Sequence, residues 1–488
     1  MPSRSARRSS TARSRRPRAA CAARSWTSSK PATAHPTWRR RSPFVDNMSD
    51  DAILPVTTAD PLTGLLRGDW PDPDSGQAIR LPALSVVIEP DLRGMEADLV
   101  AQLGFGRRLA VVSDIATRAV LGERVERALD GRASLLAVTL GDRPHADAET
   151  AERVRRATAE ADGLIAVGSG TINDLCKYAA ARDRKPYAVF ATAPSMNGYT
   201  SVNAAITVDG HKKTLPAVAP RGVFMDLGIL ARAPARMIRA GLGDSLCRPT
   251  AQADWLLSHH LRGTTYRRAP FALLETDEAS LFGAPEALMR GDLAAMRALA
   301  RTLVLSGLGM TICGGSYPAS QGEHLISHYI DMFAPGDRGE FLHGEQVAVA
   351  TLAMARIQEA VIGGGPPRLR PTTMTQAALE QRFGVDIGRS CWEEFEAKRV
   401  TAASLTAQQR RLDEGWDAIC AKIGPIFVPA ARLEAILRHA GAPTAPEHIG
   451  ISPQFFAEAV GHARFLRDRY TFLDLAGDVG PAERQATA

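Results

Sequence analysis

Asp244, His324 and His343 lie far apart in the chain, yet each is a residue type suited to holding one divalent metal. One carboxylate and two imidazoles leave a coordination position open for substrate, as a catalytic metal site requires. Asp244 closes the run Gly241-Leu242-Gly243-Asp244, just ahead of an apolar-periodic stretch. His324 and His328 stand four residues apart, so on a helix they share one face, and His343 opens a further stretch of helical periodicity. Each also has a plainer use. Asp244 can cap a helix, and a histidine pair at this spacing can be packing.

A second group of residues could hold a dinucleotide. Gly168-Ser169-Gly170-Thr171-Ile172-Asn173-Asp174 follows an expected strand and opens an expected helix. Backbone amides at such a helix start can cradle a pyrophosphate, and small residues let it approach. The turn follows the third expected strand, so it differs from the Gly-rich turn that ends the first strand of a standard dinucleotide-binding unit. Asp114 ends the first expected strand, where a carboxylate can accept from a ribose diol and repel a 2′-phosphate, favouring NAD over NADP. It can equally cap the next helix, and the two roles are compatible. The stretch from Thr192 through Ala193, Pro194, Ser195 and Asn197 to Ser201 is too rich in small hydroxyl side chains for a plain connection. Such a loop at the carboxyl end of a parallel sheet is where ligands sit.

Alternating elements must position these groups. Strands are expected at 109–113, 134–140, 163–167 and 187–192, with helices between them, including one at 148–161. Strands alternating with helices imply crossover connections and a parallel sheet. After residue 236 long Ala-, Leu- and Arg-rich helical stretches take over. The expected division is a leader at 1–47, an α/β dinucleotide-binding domain at 48–235, an all-helical metal-binding domain at 236–478 and a tail at 479–488. The charged region to about 422 reads as a surface helical excursion.

Composition narrows the function classes. The net charge of +6 belongs to the leader, since residues 1–45 hold twelve Arg or Lys and no Asp or Glu. The remainder is acidic, which removes the argument for nucleic acid. The leader reads either as a disordered basic extension or as sequence upstream of a true start at Met48. Six cysteines without close spacing point to reduced thiols in a cytoplasmic protein. No run approaches the roughly 18 consecutive apolar residues of a membrane span.

The segments GSGTINDLCKY, TAPSMNGYTSVNAAI, GLGDSL, GEHLISHYIDMF and HGEQVAVATL occur in the order and at the spacing of sn-glycerol-1-phosphate dehydrogenases. The chain therefore resembles that group, within the superfamily of iron-type alcohol dehydrogenases, glycerol dehydrogenases and 3-dehydroquinate synthases. The resemblance covers roughly residues 85–360, with weaker helical agreement to about 475. It implies a dehydroquinate synthase-like fold, an α/β nucleotide-binding domain followed by an all-α domain, and a tendency to form homo-oligomers. It makes Asp244, His324 and His343 the ligands of one divalent ion, zinc first, with nickel or iron also accepted. It places NAD(H) or NADP(H) on Asp114, Gly168, Gly170–Asp174, Thr192–Ser195 and Ser201. Substrate falls on Asn197, Asp244 and His328, with His328 as proton relay. Asn197 departs from the Asp that many members carry, which removes a charge next to substrate.

The activity so implied is interconversion of dihydroxyacetone phosphate, a small phosphorylated three-carbon ketone, and sn-glycerol 1-phosphate. Lys212 and Lys213 are candidates for its phosphate, or are solvated surface charges. The competing readings are a glycerol-type polyol dehydrogenase, a 3-dehydroquinate synthase-like enzyme, and a non-catalytic metabolite-binding homologue.

Overall fold

The computed structural model of the protein describes residues 60–479, except 83, 209, 210, 337 and 338, and not the side chains of 211 and 212. The basic leader at 1–47, and all of the 479–488 tail but Val479, lie outside these residues.

Short apolar runs make the sheet. β1 (Ser85–Glu89), β2 (Arg108–Asp114), β3 (Ser134–Leu140), β4 (Gly163–Gly168), β5 (Tyr187–Ala191) and β8 (Gly222–Asp226) pair in the order β1-β8-β5-β4-β2-β3, every pair parallel. The central strands β4, β5 and β8 are buried along their whole length, which is why they read as continuous apolar stretches without alternation. β6 (Asn203–Val208) and β7 (His211–Pro216) form a separate antiparallel hairpin. The four strands expected from the sequence are four of these six parallel ones. β1, β8 and the hairpin add to them, so Asp114 ends the second strand and Gly168 the fourth.

Register brings the two expected nucleotide groups to one edge. Val112 lies beside Ala166, so Asp114 and Gly168 leave neighbouring strands at the same carboxyl end. From Ala235 onward, helices dominate the described residues. One apolar cluster crosses from sheet to helices, holding Val112, Leu164 and Val189 together with Leu303, Leu352 and Leu433. Each such leucine contributes roughly 2 kcal/mol by leaving water. The helix Leu293–Cys313 is long and apolar enough to cross a membrane by composition, but most of it is buried within this core.

A second cluster corrects the expected surface excursion. The helices Gln376–Phe383, Val385–Glu396 and Ala402–Ile423 bury Leu379, Phe395, Leu412, Ile419 and Ile423 in one cluster with Ile326, Ile330 and Val349. These last three belong to the helices Gly322–Phe333 and His343–Gly363, which carry the histidines. The outward charges conceal a packed inner face. The region supports the candidate site from behind.

Candidate functional site

Three helices converge at the metal-type residues. Asp244 lies in the last turn of the helix Ala235–Leu246 rather than ahead of a helix, His324 lies in Gly322–Phe333, and His343 is the first residue of His343–Gly363. The glycines around them are contact residues, not turn residues. A Cβ on Gly243 would come within 2.3 Å of the Gly344 carbonyl oxygen, and one on Gly344 within 1.9 Å of that of Ala240. Helix backbones touch directly here, and no larger residue fits.

One ligand atom from each of Asp244, His324 and His343 lies within 4.8 Å of the others. His324 Nε2 is 3.6 Å from Asp244 Oδ1, and the rings of His324 and His343 are 5.0 Å apart. Asp244 Oδ2 accepts from the Asn197 backbone N–H at 2.8 Å, while Oδ1 is buried without a hydrogen-bond partner. A buried carboxylate oxygen without a donor is costly unless a cation meets it. Supporting bonds orient the two rings. His324 Nδ1 lies 2.9 Å from Glu323 Oε1, and a proton there leaves Nε2 as an electron-pair donor toward the trio. His343 Nδ1 lies 3.3 Å from Ser327 Oγ, which itself donates to Gln346 Oε1 at 2.9 Å. Burial opposes charge on His324, but the neighbouring Asp244 and Glu323 carboxylates outweigh it and raise the imidazole to about 9. Burial likewise acts to raise Asp244, and the two histidines hold its carboxyl below the usual range. This negative field, the orphaned oxygen and the donor types together fit a divalent cation. Cys247, Glu323 and His324 also approach one another, but the Cys247 thiol donates to the Asp244 carbonyl at 3.1 Å, and burial with the nearby carboxylates pushes it well up.

The trio opens onto a cleft of about 390 Å³ that reaches the sheet. Ser169, Gly170, Thr171 and Asp174 line it, as do Ser195, Asn197 and Ser201, together with Asp244, His324, His328 and His343. The His328 ring lies 6.4 Å from that of His324 and 6.1 Å from that of His343. Gly170 begins the helix Gly170–Asp183, and the Ser169 side chain makes no cap to it, which leaves first-turn amides for an anion. Gly168, Ile172, Asn173, Thr192, Ala193 and Pro194 do not line the cleft. They are buried beneath its wall, and a Cβ on Gly168 would collide with Ile172 at 2.6 Å. Asp114 is away from the cleft wall too, and forms a capping box with Thr117, accepting from its backbone N–H at 2.7 Å. Lys213 is exposed on β7, and the Lys212 side chain lies outside the described residues.

Sequence reasoning missed Lys177. Fully buried, it donates to Gly198 O at 2.5 Å, Asn203 O at 3.0 Å and Ser201 Oγ at 3.2 Å, with Asp174 3.8 Å away. It thereby pins the loop whose Asn197 N–H holds Asp244. The signal available was Asp174 and Lys177 at i, i+3 beside buried Cys176. Burial pulls the ammonium down to about 8, against the pull of Asp174. Lys177→Met should cost roughly 2 kcal/mol, because three acceptors lose their donor while the expense of a buried charge is also removed. The unfolded lysine titrates near 10.5, so between pH 8 and 10.5 this site binds more protons in the unfolded chain, and Lys177 contributes a stability that rises with pH. Denaturant titrations across that window should show this slope in wild type and its loss in Lys177→Met. Parallel curves would show that Lys177 is not the titrating group.

The chain is similar to known proteins in sequence and in fold. Residues 87–234 match the iron-containing alcohol dehydrogenase family. The glycerol-1-phosphate dehydrogenase [NAD(P)+] of Bacillus licheniformis is 30% identical over 386 residues, covering 77% of this chain and 84% of that protein. The enzyme of the same name from Pyrococcus furiosus is 32% identical over 270 residues, covering 55% and 77%. Among solved structures, a probable glycerol dehydrogenase from Sinorhizobium meliloti aligns with TM-score 0.54 at 18% identity, over 83% of this chain and 95% of that one, and so speaks for the fold.

Proposed function

The chain belongs to the glycerol-1-phosphate dehydrogenase family, and we propose that it interconverts dihydroxyacetone phosphate and sn-glycerol 1-phosphate in the cleft between sheet and helices. The observation that carries this is the continuity of that cleft. One cavity joins the uncapped Ser169–Thr171 turn to Asp244, His324 and His343, so a dinucleotide and a metal-bound substrate can meet in it.

The first-turn amides from Gly170 take the pyrophosphate, and Ser195 and Ser201 flank the remainder of the dinucleotide. Asp114 is available to the ribose through the carboxylate oxygen that its cap leaves over. Asp244, His324 and His343 would hold a divalent ion, zinc first on donor type, which would supply Lewis acidity for a ketone substrate. A nicotinamide bound there would supply the hydride for ketone reduction, and one proton must reach the oxygen. His328 sits on the cleft wall one helical turn from His324 and moves that proton from its imidazole to the alkoxide oxygen. The burial of Asp244 and His324 at the end of the cleft limits competition from bulk water for the developing charge.

Protein stripped of metal and reloaded with zinc, nickel or iron should oxidise NADH on addition of dihydroxyacetone phosphate, followed at the nicotinamide absorbance. If none of the three ions supports turnover while glycerol or another polyol reduces NAD, the substrate assignment fails and the fold stands.

A further inference from the structure

The cleft wall is lined by no Lys or Arg side chain among the described residues, although the substrate proposed above is a phosphate dianion. A cation lies just behind that wall. Arg469 directs Nη2 to Ser316 Oγ at 2.8 Å and Nη1 to the Ser320 carbonyl, and its Cζ is 4.6 Å from the Tyr317 ring. Ser316 and Ser320 both line the cleft, on the stretch that leads from the core helix Leu293–Cys313 into the histidine helix Gly322–Phe333.

All the hydrogen-bond acceptors of Arg469 are uncharged, and Glu323 and Asp468 act on it only through space. The contrast with Arg464 in the same segment is direct, since Arg464 is paired with Asp474 and Asp478. Burial, reinforced by Arg467, lowers the guanidinium to about 10, the mark of a charge with too little compensation. An anion on the other side of the wall would supply it. The chemistry of the relay fits as well. Ser316 Oγ accepts from Arg469 through a lone pair and keeps its own O–H to donate into the cleft, polarised by the guanidinium behind it.

We propose that Ser316 and Ser320, backed by Arg469, bind the phosphate group of the substrate. The inference rests on the phosphotriose reading of the site and adds the residues that set its selectivity over unphosphorylated triose. Lys213, exposed on β7, is not part of it.

The test compares kcat/KM for dihydroxyacetone phosphate and for dihydroxyacetone, with NADH, in the metal-loaded enzyme. Wild type should prefer the phosphorylated ketone. Arg469→Gln should reduce that preference about 10- to 100-fold, and inorganic phosphate should lose potency as a competitive inhibitor in step. The double variant Ser316→Ala, Ser320→Ala leaves the arginine in place and should do the same, which covers the case of Arg469→Gln failing to fold. Equal losses on both ketones in either variant would mean that Arg469 only holds the loop, and would overturn the proposal. So would a collapse of the preference in Lys213→Ala while Arg469→Gln retains it. Wild type with no preference for the phosphorylated ketone would instead remove the functional reading on which the inference stands.

Discussion

His324→Ala should abolish metal retention and reduce kcat/KM by about 10³-fold or more, the loss expected when Lewis-acid stabilisation worth several kcal/mol disappears. His324 is placed to act twice, with Nε2 3.6 Å from Asp244 Oδ1 and Nδ1 2.9 Å from Glu323 Oε1. Its removal leaves two buried carboxylates facing an empty space. Each keeps a backbone N–H donor, Asp244 from Asn197 and Glu323 from Gln321, but loses the imidazole, which costs stability, so activity alone would be an ambiguous readout. Metal content after gel filtration and the effect of chelator on Tm resolve the ambiguity. Chelation should lower wild-type Tm, because an ion at about 1,000 times its Kd stabilises by roughly 4 kcal/mol. It should leave the Tm of His324→Ala unchanged. His343→Ala removes a less buried ligand and should lose metal with a smaller loss of Tm. Retained metal and activity in His324→Ala would place the site elsewhere.

The residues of that site were legible because each chemical group sits in a contiguous motif. The packing that arranges them was not. Gly241-Leu242-Gly243 read as the approach to a helix, since glycine before Asp is ordinary capping sequence. The structure puts all four residues inside a helix, and the partners that require glycine come from Pro194 and Gly344, distant in the chain. Lys177 read as an ordinary helix lysine because its acceptors lie 21 to 26 residues onward, in a loop whose course local periodicity does not contain. Arg469 was hidden for the same reason, about 150 residues from the serines it serves.

Strands divided along similar lines. β4 and β5 announced themselves as apolar runs within the strand–helix alternation, whereas β1 and β8, each as short as β5, lie outside that alternation and each end in an acidic residue. The hairpin was concealed by a motif. Asn203–Val208 begins two residues beyond the Thr192–Ser201 stretch read as a ligand loop, and its strand character comes from pairing with His211–Pro216. In the 376–423 region, charge dominated the reading, although Leu412, Trp416, Ile419 and Ile423 recur at intervals of three and four and are buried.

Gly241→Ala should be severely damaging for a single added methyl. A Cβ there would lie 1.7 Å from the Pro194 carbonyl oxygen, roughly half an ordinary carbon–oxygen contact, and the obstacle is backbone that cannot rotate away. The helix Ala235–Leu246 and the Thr192–Ser195 segment must separate by more than about 1 Å. That displacement reaches chemistry through both partners. Asp244 is three residues along the same helix, and its Oδ2 is held by the Asn197 N–H, three residues beyond Pro194. We expect a loss of roughly 3 kcal/mol in stability, weaker metal retention, and about 100-fold in kcat/KM, the order that a 1 Å misplacement costs. Gly415→Ala is the matched control. Gly415 lies inside the helix Ala402–Ile423 with nothing within 4 Å of an added Cβ, so the same methyl should raise stability by about 0.5–1 kcal/mol through helix propensity. Denaturant midpoints of the two variants should therefore move in opposite directions. If both rise, the close approach at Pro194 is wrong, and with it the account of how the sheet loop and the Asp244 helix are held in register.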